Sequence, residues 1–370
     1  MKVLIDLTDL QPGQMGGIEQ YVQSLIEGFS DKAYVDNRYS LLVNKEHQGY
    51  FGELPDHIQY LSYDTTVFGR LFMKRGRLRR VWLQLNGISA QAYDILHFPF
   101  QTVRYRIPGI KTIVSIMDVQ HEFFPEFFSE QELAARRVSY AFSMDVADKV
   151  ITISNFSARS LQKHYQVPKR KIEVVYLSIP HASTKIAAKQ NRSKYLLYPA
   201  ATWPHKNHLR LINAFAKFHA QNPGFKLYLC GAHKQVQNEL MELINMLGLQ
   251  KSVVHKGYVS DKEMNRLFNN ACAVIYPTLF EGFGMPVLEA LSHGVPVACS
   301  DIPVLREVCN GAVLYFDPTS VDAIADGMTK IVNDASIRSR ALRSAKSVVD
   351  KYTSVRLASD TQGVYEQVTR

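Results

Sequence analysis

The chain has 370 residues, 46% apolar and 21% charged, the profile of a globular protein too long for one ordinary core. It holds no run of about 18 apolar residues, which argues against a transmembrane helix, and its opening segment, Met1 to Leu7, lacks the longer apolar stretch of a signal peptide. A net charge of +9 attracts polyanions, but no nucleic-acid-binding motif accompanies it, so phosphorylated substrates or anionic lipid are the expected partners.

From the N-terminus, Lys2–Leu7 reads as a strand, residues 9–17 as a Gly- and Pro-containing loop, and Ile18–Phe29 as a helix. Gly16 and Gly17 stand at this strand–helix junction, where glycine permits close backbone approach to a ligand; a plain turn is the simpler reading of the pair alone. Tyr39–Val43 follows as a strand. Arg70, Lys74, Arg75, Arg77, Arg79 and Arg80 then form a basic run beside Val81, Trp82 and Leu83. That composition suits an anionic membrane surface, and equally a solvated helix face. Asp94–His97 and Lys111–Met117 are strand-like, and the second leads into Asp118, His121 and an aromatic-rich stretch. Lys149–Ile153 is a strand, Ser154-Asn155 a helix cap before Phe156–His164, and Lys171–Tyr176 a further strand.

A polar stretch without periodicity then marks a boundary. The domains expected are 1–180, a linker 181–194, a second domain 195–350, and a last helix near 351–370. Strands are predicted at Tyr195–Pro199, Lys226–Cys230, Ser252–Lys256, Ala273–Tyr276, Pro296–Cys299 and Val313–Phe316, with helical patterns between them. Alternation of this kind predicts an α/β fold with two doubly wound, Rossmann-like parallel sheets. The four cysteines (Cys230, Cys272, Cys299, Cys309) lack metal-ligand spacing and read as reduced thiols, which points to the cytoplasm.

The most informative segment is Glu281-Gly282-Phe283-Gly284-Met285-Pro286-Val287-Leu288-Glu289. It follows a buried strand and opens a short helix. Two glycines let backbone N–H groups approach a ligand, Pro286 suits the helix start, and a helix start can bind a diphosphate. The carboxylates of Glu281 and Glu289 can then accept hydrogen bonds from sugar hydroxyls on either side. One glutamate near a Gly turn is more often merely solvated; the full string is far more specific. A second segment, Thr202-Trp203-Pro204-His205-Lys206-Asn207, follows the first strand of this half and places Lys206 at a helix start, within reach of the same diphosphate. Gly257-Tyr258 follows a third strand end.

These strings resemble the retaining glycosyltransferases of family 4, over nearly the whole chain and most strongly from 195 to 317. The resemblance implies a GT-B architecture, with an acceptor domain and a nucleotide-sugar domain facing across a cleft. It assigns Glu281 to the donor sugar, Glu289 to the nucleotide ribose, Lys206 to the leaving diphosphate, and Gly257-Tyr258 to the nucleobase. Thr202, His205 and Asn207 accompany Lys206; the second cation that relatives carry upstream of this lysine is here either His205 or missing. Gly16 and Gly17 would lie against donor phosphates and acceptor, and Asp118 and His121 on the acceptor side, His121 being equally readable as structural through a bond to the loop backbone, with Met117 standing where relatives carry a histidine. Residues 300–308 would support the motif helix. No Asp-x-Asp triplet occurs in the sequence, so no metal or other cofactor is expected. The Trp-Pro-His-Lys-Asn string resembles enzymes of bacterial O-antigen and capsule assembly, many of which use GDP-mannose. The expected function is transfer of mannose from GDP-mannose to a lipid-linked glycan at the cytoplasmic membrane face, with another hexose or rhamnose as the competitor. A sugar-nucleotide epimerase or a non-catalytic nucleotide-binding partner subunit is the alternative from another class.

Overall fold

Two separate parallel sheets organise the chain. The computed structural model describes residues 1–63, 88–179 and 192–370. The basic run from Arg70 to Trp82 and most of the expected linker lie outside the described residues. One compact unit comprises Met1–Pro180 with Thr353–Arg370, and the other His181–Tyr352.

The first unit contains β1 (Lys2–Asp6), β2 (Arg38–Asn44), β3 (Ile58–Tyr63), β4 (Ile95–Phe98), β5 (Lys111–Ser115), β6 (Lys149–Thr152) and β7 (Ile172–Val174), in the order β3-β2-β1-β4-β5-β6-β7. All pairs are parallel. Its helices include α1 (Gly17–Phe29), α2 (Glu130–Val146) and α3 (Asn155–Tyr165). Val3, Leu4 and Ile5 of β1 are all buried, because successive side chains leave on opposite faces and both faces are covered. Strand order reverses between β1 and β4, so the loops at their carboxyl ends diverge and leave a crevice.

The second unit contains β8 (Tyr195–Pro199), β9 (Lys226–Cys230), β10 (Val253–His255), β11 (Ala273–Tyr276), β12 (Val297–Ser300) and β13 (Leu314–Phe316), in the order β10-β9-β8-β11-β12-β13. These pairs are also parallel. The helices are α4 (His208–Gln221), α5 (Gln237–Met246), α6 (Asp261–Asn270), α7 (Met285–Ser292), α8 (Pro303–Cys309), α9 (Val321–Asn333) and α10 (Ala335–Val349). Here the order reverses between β8 and β11, which pair through Ala273↔Leu196 and Val274↔Leu197. The four cysteines form no disulfide.

Several described elements escape the sequence reading, β3 and α2 among them. Strand β3 lies at the sheet edge and is only partly buried, so its apolar signal is diluted. Helix α2 exposes most of its surface, which blurs its periodicity. Its start was nonetheless marked: Ser129 caps the backbone of Glu132, and the Glu132 carboxylate accepts from the backbone N–H of Ser129.

The last helix, α11 (Ser354–Thr369), returns to the first unit and packs on α1. The approach is close at Gly28, where an added Cβ would lie 2.2 Å from the Ser354 carbonyl oxygen and 2.7 Å from the Ala358 Cβ. Polar contacts fix the register. Tyr39 donates to Gln362 Oε1 at 2.9 Å, and the Tyr365 hydroxyl lies 2.7 Å from His97 Nδ1. His97 Nε2 in turn meets Ser115 Oγ at 2.8 Å, and that hydroxyl meets Tyr21 at 2.9 Å. This chain of four partners is buried throughout. Among the described residues, no helix is long and apolar enough to cross a membrane.

Alanine in place of glycine normally favours a helix by about 1 kcal/mol. At Gly28 the sign should reverse, because overpacking costs roughly 1–3 kcal/mol. Gly28→Ala is expected to lower the denaturant midpoint, and a rise would contradict the close packing of α1 on α11.

Burial also sets the response to acid. It lowers the pKa of His97 to about 3, of His121 to about 4 and of His208 to about 3. The unfolded chain takes up protons near pH 6.5 while these folded side chains remain neutral, so stability is present above that pH and is lost as pH falls toward 4. Each histidine contributes a slope of up to about 1.4 kcal/mol per pH unit. Thermal unfolding should shift to lower temperature between pH 7 and pH 5, and His97→Gln should flatten the dependence. An unfolding temperature independent of pH over that range would refute this account.

Candidate active site

In the second unit the chemistry gathers at the carboxyl ends of β8 and β11, the two strands flanking the reversal of order. After β8 the chain makes a single 3-10 turn, Pro204–Lys206, and Asn207 follows in the left-handed region at φ 62°. The Asn207 amide donates to the carbonyls of Pro277 at 2.9 Å and Pro318 at 2.8 Å, and its Oδ1 accepts from Arg210. Both amide hydrogens therefore hold the loop. The His205 carbonyl accepts from Leu279 N at 2.7 Å and from Thr278 Oγ1 at 3.2 Å. Four of these contacts thus lace the loop after β8 to the loop after β11 and to the segment before α9.

Lys206 and Glu281 meet as a result. Lys206 Nζ lies 2.6 Å from Glu281 Oε1 and 3.3 Å from the Tyr276 hydroxyl, and Tyr276 donates to the same carboxylate oxygen at 2.8 Å. The side chains of the ion pair are 16% and 11% exposed. Tyr198 donates to the carbonyl of Lys206 from beneath. Burial, and then the charge of Glu281, hold the phenols of Tyr198 and Tyr276 well above their ordinary pKa, so both act as neutral donors.

The glycine turn that follows is tightly packed. Gly284 has φ 103°, and a Cβ there would lie 2.4 Å from Cδ2 of the buried Leu305 on α8. Residues 300–308 therefore support the turn directly, and Ser300 adds a hydrogen bond to the Tyr276 carbonyl at 3.1 Å. Gly282, Phe283, Met285, Val287 and Leu288 are buried, while Pro286 is partly exposed in the first turn of α7. No side chain caps this helix start. Glu289 lies one turn further, half-buried, and its charge is among those raising the Tyr276 pKa. The far end of α7 is anchored by Arg192, which donates to the carbonyls of His293 and Gly294 and also to Phe268 and Ala271 at the end of α6. A cation at helix C-termini satisfies carbonyls that lack intrahelical partners.

Thr202 is buried and accepts from the backbone N–H of Lys234 at 2.6 Å. Gly257 has φ 66° and accepts from Gly231 N at 2.8 Å, and Tyr258 beside it is 74% exposed. For His205 the second of the two readings holds, and its role as a cation is corrected. Burial, assisted by Lys206, lowers its pKa to about 3, so it is neutral at physiological pH and supplies no second positive charge. The cation found beside this loop is Lys234, its Nζ 5.2 Å from the ring centre of Trp203. Its position after β9, next to β8 in the sheet, was the available signal. Gly231 was also missed: with φ 147°, its Cβ would lie 2.4 Å from the Ala200 backbone.

In the first unit Gly16 begins α1 with φ 55°, and a Cβ at Gly16 or Gly17 would meet nothing within 4 Å, so open space lies beside both. Asp118 follows β5, is half-buried, and accepts from Gln120 N at 3.0 Å. Met117 is buried. For His121 the structural alternative holds, and its acceptor-side placement is corrected. It is 1% exposed, lies 2.6 Å from the Tyr165 hydroxyl and packs edge-on against Tyr140. Tyr165 donates to Glu122 at 2.9 Å, which leaves His121 Nε2–H as donor to Tyr165. His121 is interior scaffolding and does not present itself to an acceptor.

Two family models tile the chain: "Glycosyltransferase Family 4" matches residues 15–182 and "Glycosyl transferases group 1" residues 182–348. The O-antigen chain mannosyltransferase RfbU of Salmonella typhimurium is 27% identical over 326 residues, covering 85% of this chain and 87% of that protein. The O-antigen chain mannosyltransferase B of Escherichia coli is 28% identical over 267 residues, covering 68% and 70%. Among solved structures, Anabaena HepE in complex with UDP and glucose superposes with a TM-score of 0.73 at 20% identity, covering 99% of this chain and all of that one, a likeness of fold. With the two models spanning residues 15–348 between them, the chain belongs to the glycosyltransferases of family 4 and has the GT-B fold.

Proposed function

We propose that this glycosyltransferase moves mannose from GDP-mannose to a hydroxyl of a growing, lipid-linked glycan, with retention of anomeric configuration and without a metal ion. The single observation that carries the reading is the Lys206–Glu281 pair at the strand-order reversal of the second unit. The mannosyl assignment rests on the names of the two O-antigen relatives.

The chemistry divides among the residues as follows. The donor diphosphate sits at the start of α7, against the backbone of Gly284 to Leu288. Lys206 turns from its counter-ion toward the phosphates and balances the charge that grows on them as the C1–O bond breaks. A lysine in this position does work that a chelated cation would otherwise do. Glu281, held by the Tyr276 hydroxyl, presents its carboxylate as an acceptor to sugar hydroxyls. Glu289, one turn into the helix, accepts from the ribose. The acceptor hydroxyl attacks C1 from the face that the diphosphate leaves, and its proton passes to the departing phosphate oxygen. Asp118 orients the acceptor, and Gly16-Gly17 leaves it room.

Donor identity is tested by thermal shift with GDP, UDP, dTDP and ADP, each alone and with its common sugars. Stabilisation by GDP and GDP-mannose is expected, and it should be lost in Glu289→Ala. A shift by UDP or dTDP alone would overturn the GDP assignment.

Lys206→Ala and Glu281→Ala should each reduce mannosyl transfer by about 100-fold or more, the scale of losing one charge-stabilising contact, while a cooperative unfolding transition persists. EDTA should leave wild-type turnover unchanged. Near-wild-type rates in either variant, or loss with EDTA and rescue by Mn²⁺, would sink the mechanism.

A further inference from the structure

The first unit carries a second arrangement at the carboxyl edge of its sheet. The loop after β1, residues 7–16, and the turns after β2, residues 45–50, emerge side by side because β1 and β2 are parallel neighbours. Between them lies an open cavity of about 550 Å³. Gln11, Gln14, Glu46, His47, Gln48 and Tyr50 line it.

The walls are held from behind by Glu19, a carboxylate only 7% exposed in the first turn of α1. Its oxygens accept from Gly13 N at 2.8 and 3.0 Å and from Met15 N at 3.4 Å, and the Tyr50 hydroxyl donates to it. One side chain thus ties the loop after β1 to the turn after β2. Gln23 donates to the Tyr50 hydroxyl at 2.8 Å, and the backbone N–H of Phe51 donates to Tyr60 on β3 at 2.9 Å. With its hydroxyl committed to Glu19 and Gln23, Tyr50 offers the cavity its ring. Fixed walls of this kind are what a binding pocket requires, since a ligand then need not order them.

The lining selects the chemistry. It contains three primary amides, the Glu46 carboxylate and the His47 imidazole, and neither lysine nor arginine, so amides dominate its polar groups. Each amide presents a donor and an acceptor together, which matches the adjacent hydroxyls of a sugar. An aromatic ring supplies an apolar surface for the C–H face of a pyranose. The volume lies within the range of small-molecule pockets.

We propose that this cavity is a subsite for a neutral pyranose, bound through Gln14 and Gln48 against the ring of Tyr50, with Glu19 as the residue that positions both walls. Its role as a place for an acceptor sugar rests on the transferase reading above. The binding itself does not.

The test uses the full chain and ligand-observed saturation-transfer NMR. The probes are methyl α-mannopyranoside, methyl α-glucopyranoside and methyl α-rhamnopyranoside, with inorganic phosphate as competitor. At least one glycoside should receive saturation from the wild type. The signal should fall at least threefold in the Gln14→Ala/Gln48→Ala double variant, whose changes are at exposed positions, and phosphate should not displace it. Absence of saturation for all three, an undiminished signal in the variant, or displacement by phosphate would each overturn the subsite. GDP thermal shifts on the same samples keep the two readings apart. A missing GDP shift with pyranoside binding intact defeats the donor assignment alone, and a normal GDP shift without pyranoside binding defeats the subsite alone.

Discussion

The second unit depends on a half-buried ion pair that its topology brings together. Lys206 follows β8 and Glu281 follows β11, far apart in sequence yet on adjacent strands. Opposite charges largely removed from water cost desolvation energy, and removing one partner of such a pair commonly destabilises a protein by about 3–5 kcal/mol. The pair is tolerable here because Tyr276 shares the carboxylate and the peptide carbonyls beneath are already occupied. Such a pair is also poised chemically. Its ammonium is held in place by a charge of about the kind that a diphosphate would bring, so exchange of one anion for another requires little reorganisation.

Much of the surrounding sequence can be understood as fixing that geometry. Asn207 spends its amide on two carbonyls, Gly284 admits Leu305, and Gly231 admits the backbone of Ala200. Arg192 secures the far end of α7 through carbonyls, and its start has no side-chain cap. In the first unit the corresponding constraint is internal. The buried chain Tyr21–Ser115–His97–Tyr365 joins α1, two strands and the last helix, so residues remote in sequence share one polar network. Its members are satisfied by one another, which is the condition for burying polar groups without loss.

How far the sequence could be read depended on whether a signal was local. Parallel strands covered on both faces announce themselves as continuous apolar runs, and β8, β9 and β11 were located to the residue. The glycine turn and its glutamates were legible because their spacing is the motif. Side-chain direction was not. His121 and His205 both read as polar residues in promising loops, and only packing reveals that one points into the interior and that the other loses its charge through burial beside Lys206. Lys234 and Gly231 escaped for the complementary reason: they act on a neighbouring strand's loop, and strand adjacency is set by sheet order, which one sequence does not spell out.

The same distinction explains why glutamates of similar appearance play different parts. Glu19 and Glu281 each stand near a glycine-containing turn at the carboxyl end of a parallel sheet. Glu19 is surrounded by backbone and hydroxyl donors, so its lone pairs are occupied by the protein and its effect on a ligand passes through the loops it holds. Glu281 is paired with one ammonium and one phenol, both side-chain groups, so the ammonium can be given up to a ligand without unmaking the backbone. What separates a residue that shapes a site from one that works in it is the cost of releasing its partners. For Glu19 that cost is the loss of two loops, and for Glu281 it is the movement of a single lysine side chain.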